Sequence, residues 1–285
     1  MMPAPEAERG WLRRHGIVPR KRLGQTFLVH PEVASMLVRA MAPPAGVPIL
    51  EIGAGAGALT RALLETGSRV WAFEVDPRLV ALLRERFAGA LRDGQLHLCA
   101  QSILAADLAE LPDLPSEPLF LAGNLPYAFT TPILLWAAGQ RRFLSGGAVL
   151  IQKEVADRIT AAPGSRTYGS ITVWIAYHAH VERVVTVQPG SFWPVPQVDS
   201  TLITIRFHPA PPVDIPNPDC LQRVLAAAFG QRRKMLRSSL GAALGGPEQG
   251  ERLLSRVGID PRRRAETLSL EEFARLACAV REATR

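Results

Sequence analysis

The sequence predicts an α/β fold built on a mostly parallel sheet, followed by a small all-α C-terminal domain. Three observations predict it. Short apolar runs alternate with amphipathic segments through the first two-thirds of the chain, as strands joined by helical crossovers do. A glycine-rich loop closes the first of those strands, and an acidic residue closes the second. Finally, the stretch HPAPPVDIPNP at 208–218 holds five prolines in eleven residues, a semi-rigid linker and domain boundary, and beyond it every periodic segment is helical.

Taken in chain order, residues 1–30 carry Arg9, Arg13, Arg14, Arg20, Lys21 and Arg22 but no apolar run. They are expected to form a basic arm rather than a secretory signal. In 31–42, Val33, Met36, Leu37, Ala40 and Met41 recur at helical spacing. After Pro43-Pro44, strands are expected at 48–52, 69–75, 95–99, 119–122 and 148–151. Helices are expected at 58–65, at 77–88 (with Pro77 in the first turn), at 133–138 and at 154–161. Trp136 and Trp174 fit helical core stripes. Segments 181–187 and 201–207 have the pattern of a closing antiparallel pair. The main domain therefore spans 31–207. The helical domain spans 219–285, with helices at 220–229, 232–244, 251–257 and 270–281.

Length and composition bound the function. At 285 residues the chain is long enough for two buried cores, and 47% hydrophobic against 21% charged residues excludes disorder as the default. No run of about 18 apolar residues appears, so no membrane span is expected. Cys99, Cys220 and Cys278 are odd in number and far apart, which suits a reducing cytoplasm rather than a disulfide framework or zinc site. The six histidines show no ligand spacing, and no metal is expected. A net charge of +7 and a pI near 10.0 favour a polyanionic partner. The charge is clustered in the N-terminal arm, in Arg232, Arg233, Lys234 and Arg237, and in Arg262, Arg263 and Arg264. Guanidinium forks suit phosphate oxygens and give affinity without reading base sequence.

Two motifs carry the chemistry. Glu51-Ile52-Gly53-Ala54-Gly55-Ala56-Gly57 follows the first strand, where glycines let the backbone approach a ligand closely, and Glu74 ends the second, where an acid can accept from ribose hydroxyls. Together they indicate an adenosine-containing cofactor. NAD and S-adenosylmethionine are both compatible, although GxGxG spacing behind a glutamate favours the latter. Asn124-Leu125-Pro126-Tyr127 follows the 119–122 strand at its C-terminal end, where open α/β sheets place ligands. An aromatic amine is a poor nucleophile because its lone pair is delocalised into the ring. The side-chain oxygen of Asn124 and the carbonyl of Leu125 could accept its hydrogens, draw the lone pair out of conjugation and aim it at a methyl donor. Pro126 would fix the turn, and Tyr127 would stack on a base pulled from its surroundings.

With these residues in view, the chain resembles the KsgA family of ribosomal RNA adenine dimethyltransferases, and more distantly the Erm methyltransferases. Further similar segments are KRLGQTFL at 21–28, QKEV at 152–155, Tyr168-Gly169, FWPVPQVDS at 192–200, FGQRRK at 229–234, GIDP at 258–261 and Arg264-Ala265-Glu266. The resemblance implies a Rossmann-like class I methyltransferase sheet and two methyl transfers from S-adenosylmethionine to each of two adjacent adenines in small-subunit rRNA. It also implies a cytoplasmic, monomeric protein acting on an immature 30S particle. Cofactor contacts fall on Gln25, Thr26, Leu28, Gly53, Gly55, Glu74, Ser102 and Asn124. RNA contacts fall on Arg20, Lys21, Arg22, Arg232, Arg233, Lys234 and Arg237. Phe192 is expected to sandwich the target base with Tyr127, and residues 21–28 to close over the cofactor. Three positions depart from the family pattern: Thr26 and Ser238 stand where Asn is usual, and Ser102 where an acid holds the cofactor's adenine amine. Weaker cofactor binding is expected from Ser102. The competing readings are the same chemistry on large-subunit rRNA or DNA, and a ribosome-assembly factor with little catalysis.

Overall fold

The computed structural model describes residues 5–111, 113–215 and 217–283, so the first four residues of the basic arm lie outside the described residues. The chain divides into two compact units. The first runs to Ala156 and resumes over Glu182–Phe207, and the second comprises Asp157–Val181 and the chain from His208 onward.

The first unit contains helices α1 (Pro5–Arg14), α2 (Pro31–Met41), α3 (Ala58–Leu64), α4 (Pro77–Arg86), α5 (Ala88–Arg92) and α6 (Thr130–Gly139). Helix α7 (Lys153–Ile159) runs out of it. Strands β1 (Phe27–Leu28) and β8 (Phe192–Trp193) form an antiparallel pair. The main sheet contains β2 (Ile49–Ile52), β3 (Val70–Phe73), β4 (Leu96–Cys99), β5 (Leu119–Asn124), β6 (Leu144–Gln152), β7 (Ala179–Val187) and β9 (Ser200–Phe207), in the order β4-β3-β2-β5-β6-β9-β7. Strands β2 through β6 pair in parallel, and β9 runs antiparallel to β6. Every residue of β2 and β3 is buried, the signature of a parallel strand covered on both faces. The crossover between β2 and β5 is the switch point at which such sheets place ligands.

Local chemistry accounts for the helix starts. Helix α4 begins on Asp76, whose carboxylate accepts from the Arg78 N–H, with Pro77 at the first position. Helix α2 likewise starts with proline and buries Ala34, Leu37, Val38 and Met41. Gly123 in β5 is required by proximity: a Cβ there would lie 2.7 Å from the Ile52 carbonyl oxygen.

The N-terminal region differs from a simple basic arm. Helix α1 buries Leu12 completely, and Leu12 and Ile17 pack with Phe27, Ala56, Leu79 and Leu82. Glu8 is buried and pairs with Arg86 at 2.7 Å. Arg86 also donates to the carbonyl of Ala56 at 2.9 Å and lies over the Trp11 ring. The helix is thus bolted to the glycine loop by a desolvated ion pair and an apolar face.

In the second unit, α8 (Ser170–His178) packs with α9 (Pro218–Gly230) and α12 (Leu270–Ala283), and α10 (Leu236–Leu244) with α11 (Pro247–Arg256). The 157–181 segment groups with these helices, so the helical unit does not begin at the proline-rich linker as the sequence suggested. Its side chains explain why. The Tyr168 hydroxyl donates to the Leu268 carbonyl at 2.8 Å, and the Tyr168 ring lies 6.3 Å from Phe229. The helix expected at 232–244 starts only at Leu236. Its first free N–H groups are taken by a neighbouring loop: Leu236 donates to the Arg263 carbonyl at 2.8 Å and Arg237 to that of Pro261 at 3.1 Å. Among the described residues no helix is long and apolar enough to cross a membrane, and no group of His, Cys, Asp and Glu side chains is arranged to hold a metal ion.

Candidate active site

A cavity of about 320 Å³ opens at the C-terminal ends of β2, β3 and β5, within the range of small-molecule sites. It is lined by Gln25, Thr26 and Leu28 from the arm, Gly53 and Gly55 from the loop, and Glu74, Ser102, Asn124 and Pro126. Eight positions expected to contact a cofactor thus converge on one pocket, from segments spread over a hundred residues.

The loop owes its shape to Glu74. Gly53, Gly55 and Gly57 all take positive φ. The buried Glu74 carboxylate accepts from the N–H of Gly55 at 2.8 Å, of Val75 at 2.8 Å and of Asp76 at 2.9 Å. Burial pushes its pKa up, and those three donors pull it back. Glu51, directly before the loop, is fully buried and accepts from Thr60 at 2.7 Å. Burial raises its carboxyl to about 7.

The acceptor side is built around Asn124. Its Nδ2 donates to the Thr26 carbonyl at 2.9 Å. A carbonyl can only accept, so the amide is fixed with its NH₂ toward Thr26. The opposite atom, Oδ1, is buried without a hydrogen-bond partner. An orphan acceptor of this kind carries a desolvation cost that a bound donor removes, so the residues fit a ligand that brings an N–H to this point. Tyr127 is half-buried, and its hydroxyl lies 2.7 Å from Ser200 Oγ. Burial raises its pKa. Leu125 is fully buried, and its N–H donates to the Leu150 carbonyl at 3.0 Å.

Phe192 is not where a base-sandwiching ring would sit. It is 0% exposed and belongs to the hydrophobic core with Leu28, Leu37 and Leu202. Its pairing with Leu28 in the β1–β8 ribbon turns it inward. Trp193, its neighbour, is the partly exposed aromatic of that strand and lies beneath the Arg13 guanidinium, 5.5 Å from it.

Two residues escaped sequence reasoning. Ser200 partners the Tyr127 hydroxyl from complete burial, and Asp76 anchors the arm. Gln25 donates from its side chain to Asp76 at 3.2 Å, and its side-chain oxygen accepts from the Arg20 N–H at 2.8 Å. Both ends of its amide are therefore engaged by protein. Asp76 also binds Arg78 at 2.6 Å and faces Arg20 at 3.6 Å. Hydrogen bonding by Arg78 above all holds its carboxyl down at about 2. An Asp before a proline at a helix start was the available signal.

The basic positions separate into engaged and exposed. Arg20 is turned to Asp76, Arg22 is exposed, and the side chain of Lys21 lies outside the described residues. Arg232 donates to the carbonyls of Arg166 and Tyr168 and faces Glu266. Arg237 faces Glu251 at 3.5 Å. Arg233 and Lys234 are exposed in the turn before α10.

A family model described as ribosomal RNA adenine dimethylase matches residues 18–281. A protein from Geobacter sulfurreducens named ribosomal RNA small subunit methyltransferase A is 44% identical over 268 residues, covering 93% of this chain and 96% of that one. A protein of the same name from Thermobifida fusca is 39% identical, covering 92% and 90%. Among solved structures, a dimethyladenosine transferase from Plasmodium falciparum superposes with a TM-score of 0.71 at 22% identity, covering 87% of this chain and 94% of its own. The 23S rRNA methyltransferase ErmE superposes at 0.65 and 24% identity, covering 90% and 99%. These two likenesses establish the fold, a mostly parallel α/β methyltransferase sheet. With a family match spanning nearly its whole length and relatives at these identities, the chain belongs to the ribosomal RNA adenine dimethylase family.

Proposed function

We propose that this S-adenosylmethionine-dependent rRNA adenine dimethylase acts on two adjacent adenines of small-subunit rRNA, presented in an immature 30S particle in the cytoplasm, and works as a monomer. When bound, S-adenosylmethionine supplies an electrophilic methyl sulfonium. Glu74 holds ribose hydroxyls with the lone pairs its backbone donors leave free, and Ser102 accepts from the adenine amine. Asn124 Oδ1 and the Leu125 carbonyl would accept the hydrogens of the target amine, two before the first transfer and one before the second, and so hold its lone pair out of conjugation with the ring. Tyr127 would stack on the target base, and the proton that the amine releases on methylation would pass to water, so no strong base is required. A base sandwiched by Phe192 as well requires that ring to leave the core. Arg22, Arg233 and Lys234 meet phosphates, while Arg20, Arg232 and Arg237 act mainly within the protein.

The single observation that carries this reading is the buried, unpartnered Oδ1 of Asn124 on an amide whose orientation is fixed by Thr26. The test is methyl transfer to purified particles lacking the modification. Dimethyladenine in small-subunit rRNA, with none in large-subunit rRNA or DNA, is the expected result. Transfer only to large-subunit rRNA or DNA assigns the other substrate, and no transfer at all leaves an assembly factor.

A further inference from the structure

The contact between Gln25 and Asp76 has a reach beyond its own neighbourhood. Residues 24–26 touch the acceptor motif at two points. Gly24 takes φ +60 and packs so close that a Cβ would lie 3.2 Å from the Ala128 backbone nitrogen and 3.4 Å from that of Tyr127. The Thr26 carbonyl receives the Asn124 amide at 2.9 Å. Between Gly24 and Thr26 stands Gln25, whose side chain points the other way, to Asp76 at 3.2 Å. Asp76 is almost completely buried, is ionised, and is backed by Arg78 and Arg20. Arg78 in turn donates to the carbonyl of Val18, at the root of the same arm.

We infer that Asp76 is a positioning residue for methyl transfer: through Gln25 it clamps residues 24–26 against the acceptor motif and so holds Asn124 with its Oδ1 free for the target amine. Beyond the packing of α1 on the glycine loop, the strand pairing of the arm among the described residues is the two-residue β1, and a two-stranded ribbon is marginal alone. The clamp is a hydrogen bond to a charged group, the strong class. It joins the start of α4, beside the cofactor loop, to the tetrapeptide at the end of β5. This inference rests on the proposed role of Asn124, and its test therefore includes a readout that needs neither cofactor nor RNA.

Asp76→Asn retains a good helix cap but removes the charge, and Gln25→Leu removes the other partner without touching α4. Each is expected to speed tryptic cleavage after Arg20, Lys21 or Arg22 in the full-length protein about tenfold. Each is also expected to lower kcat at saturating substrates about tenfold with little change in KM for RNA. The double variant is expected to be no worse than the poorer single one, because both act through one contact. Unchanged proteolysis and kcat in Gln25→Leu overturn the inference even if Asp76→Asn fails to fold, and so do additive losses in the double variant. Absence of methyl transfer by the parent protein would refute the proposed function instead, and the proteolysis result would still report on the clamp.

Discussion

Replacing Ser102 by Asp is expected to tighten cofactor binding. Ser102 lines the pocket and opens a single 3₁₀ turn, its Oγ accepting from the Leu104 N–H at 3.2 Å. Asp caps a turn as well as Ser does, so one carboxylate oxygen keeps that bond while the other faces the pocket. A neutral hydrogen bond contributes about 1 kcal/mol net and one to an ionised acceptor about 1.5–3 kcal/mol. The difference of roughly 1 kcal/mol corresponds to about fivefold in Kd. Titration calorimetry with S-adenosylmethionine and S-adenosylhomocysteine should show the same tightening for both, since they share the adenine. Ser102→Ala, losing cap and acceptor together, should bind more weakly than the parent. A Kd for Ser102→Asp that is unchanged or weaker, in a protein with an unaltered melting profile, refutes the placement of the adenine amine at this strand end.

Other outcomes follow from the same geometry. The Glu51 carboxyl, raised by burial from 4.5 to about 7, binds its proton more tightly in the native than in the unfolded state. Its contribution is therefore fully present below 4.5 and is lost as pH rises through 7, about 3 kcal/mol in all. Glu51→Gln should flatten that loss in urea titrations run across the interval, and an unaltered pH slope contradicts the assignment. Gly123→Ala places a methyl 2.7 Å from the Ile52 carbonyl oxygen, where only backbone movement gives relief. A loss of about 1–3 kcal/mol in thermal unfolding is expected, and a neutral effect would show that β2 and β5 can separate. Arg233→Ala and Lys234→Ala should each reduce the salt slope of RNA binding by about one without changing stability. Arg232→Ala should instead lower stability, because its guanidinium serves the carbonyls of Arg166 and Tyr168; the reverse pattern would reassign the cluster.

Which features the sequence revealed depended on how local their physics is. The glycine loop, Glu74 and Asn124-Leu125-Pro126-Tyr127 are short segments at strand ends, and their composition alone states what the backbone must do there. The sheet was equally readable, because β2 and β3 are buried throughout and apolar except for Glu51. Features resting on long-range partners were not. Helix α1 is held by Glu8 meeting Arg86, 78 positions on, and nothing near Glu8 marks it for burial. Arg20 and Arg232 looked like free cations because their acceptors, Asp76 and the carbonyls near 166–168, lie far along the chain. The first turn expected of α10 is missing because loop 261–263 supplies acceptors to its leading N–H groups. Phe192 was assigned from a motif in which it is an aromatic beside prolines, whereas its side of the β1–β8 ribbon faces the core. Asp76 escaped notice because its partner Gln25 lies 51 positions away.

The proposed role of Asn124 is to present a pre-oriented acceptor to the target amine. It is tested most directly by single-turnover methylation of unmodified small-subunit particles with the parent protein and Asn124→Ala at saturating cofactor, followed by mass spectrometry of the rRNA nucleosides. Dimethyladenine is expected from the parent, and a rate lowered by about 10²–10³ in the variant, the scale of losing one aligned transition-state hydrogen bond, with cofactor and RNA still bound. Dimethyladenine formed at the parent's rate by Asn124→Ala would contradict it.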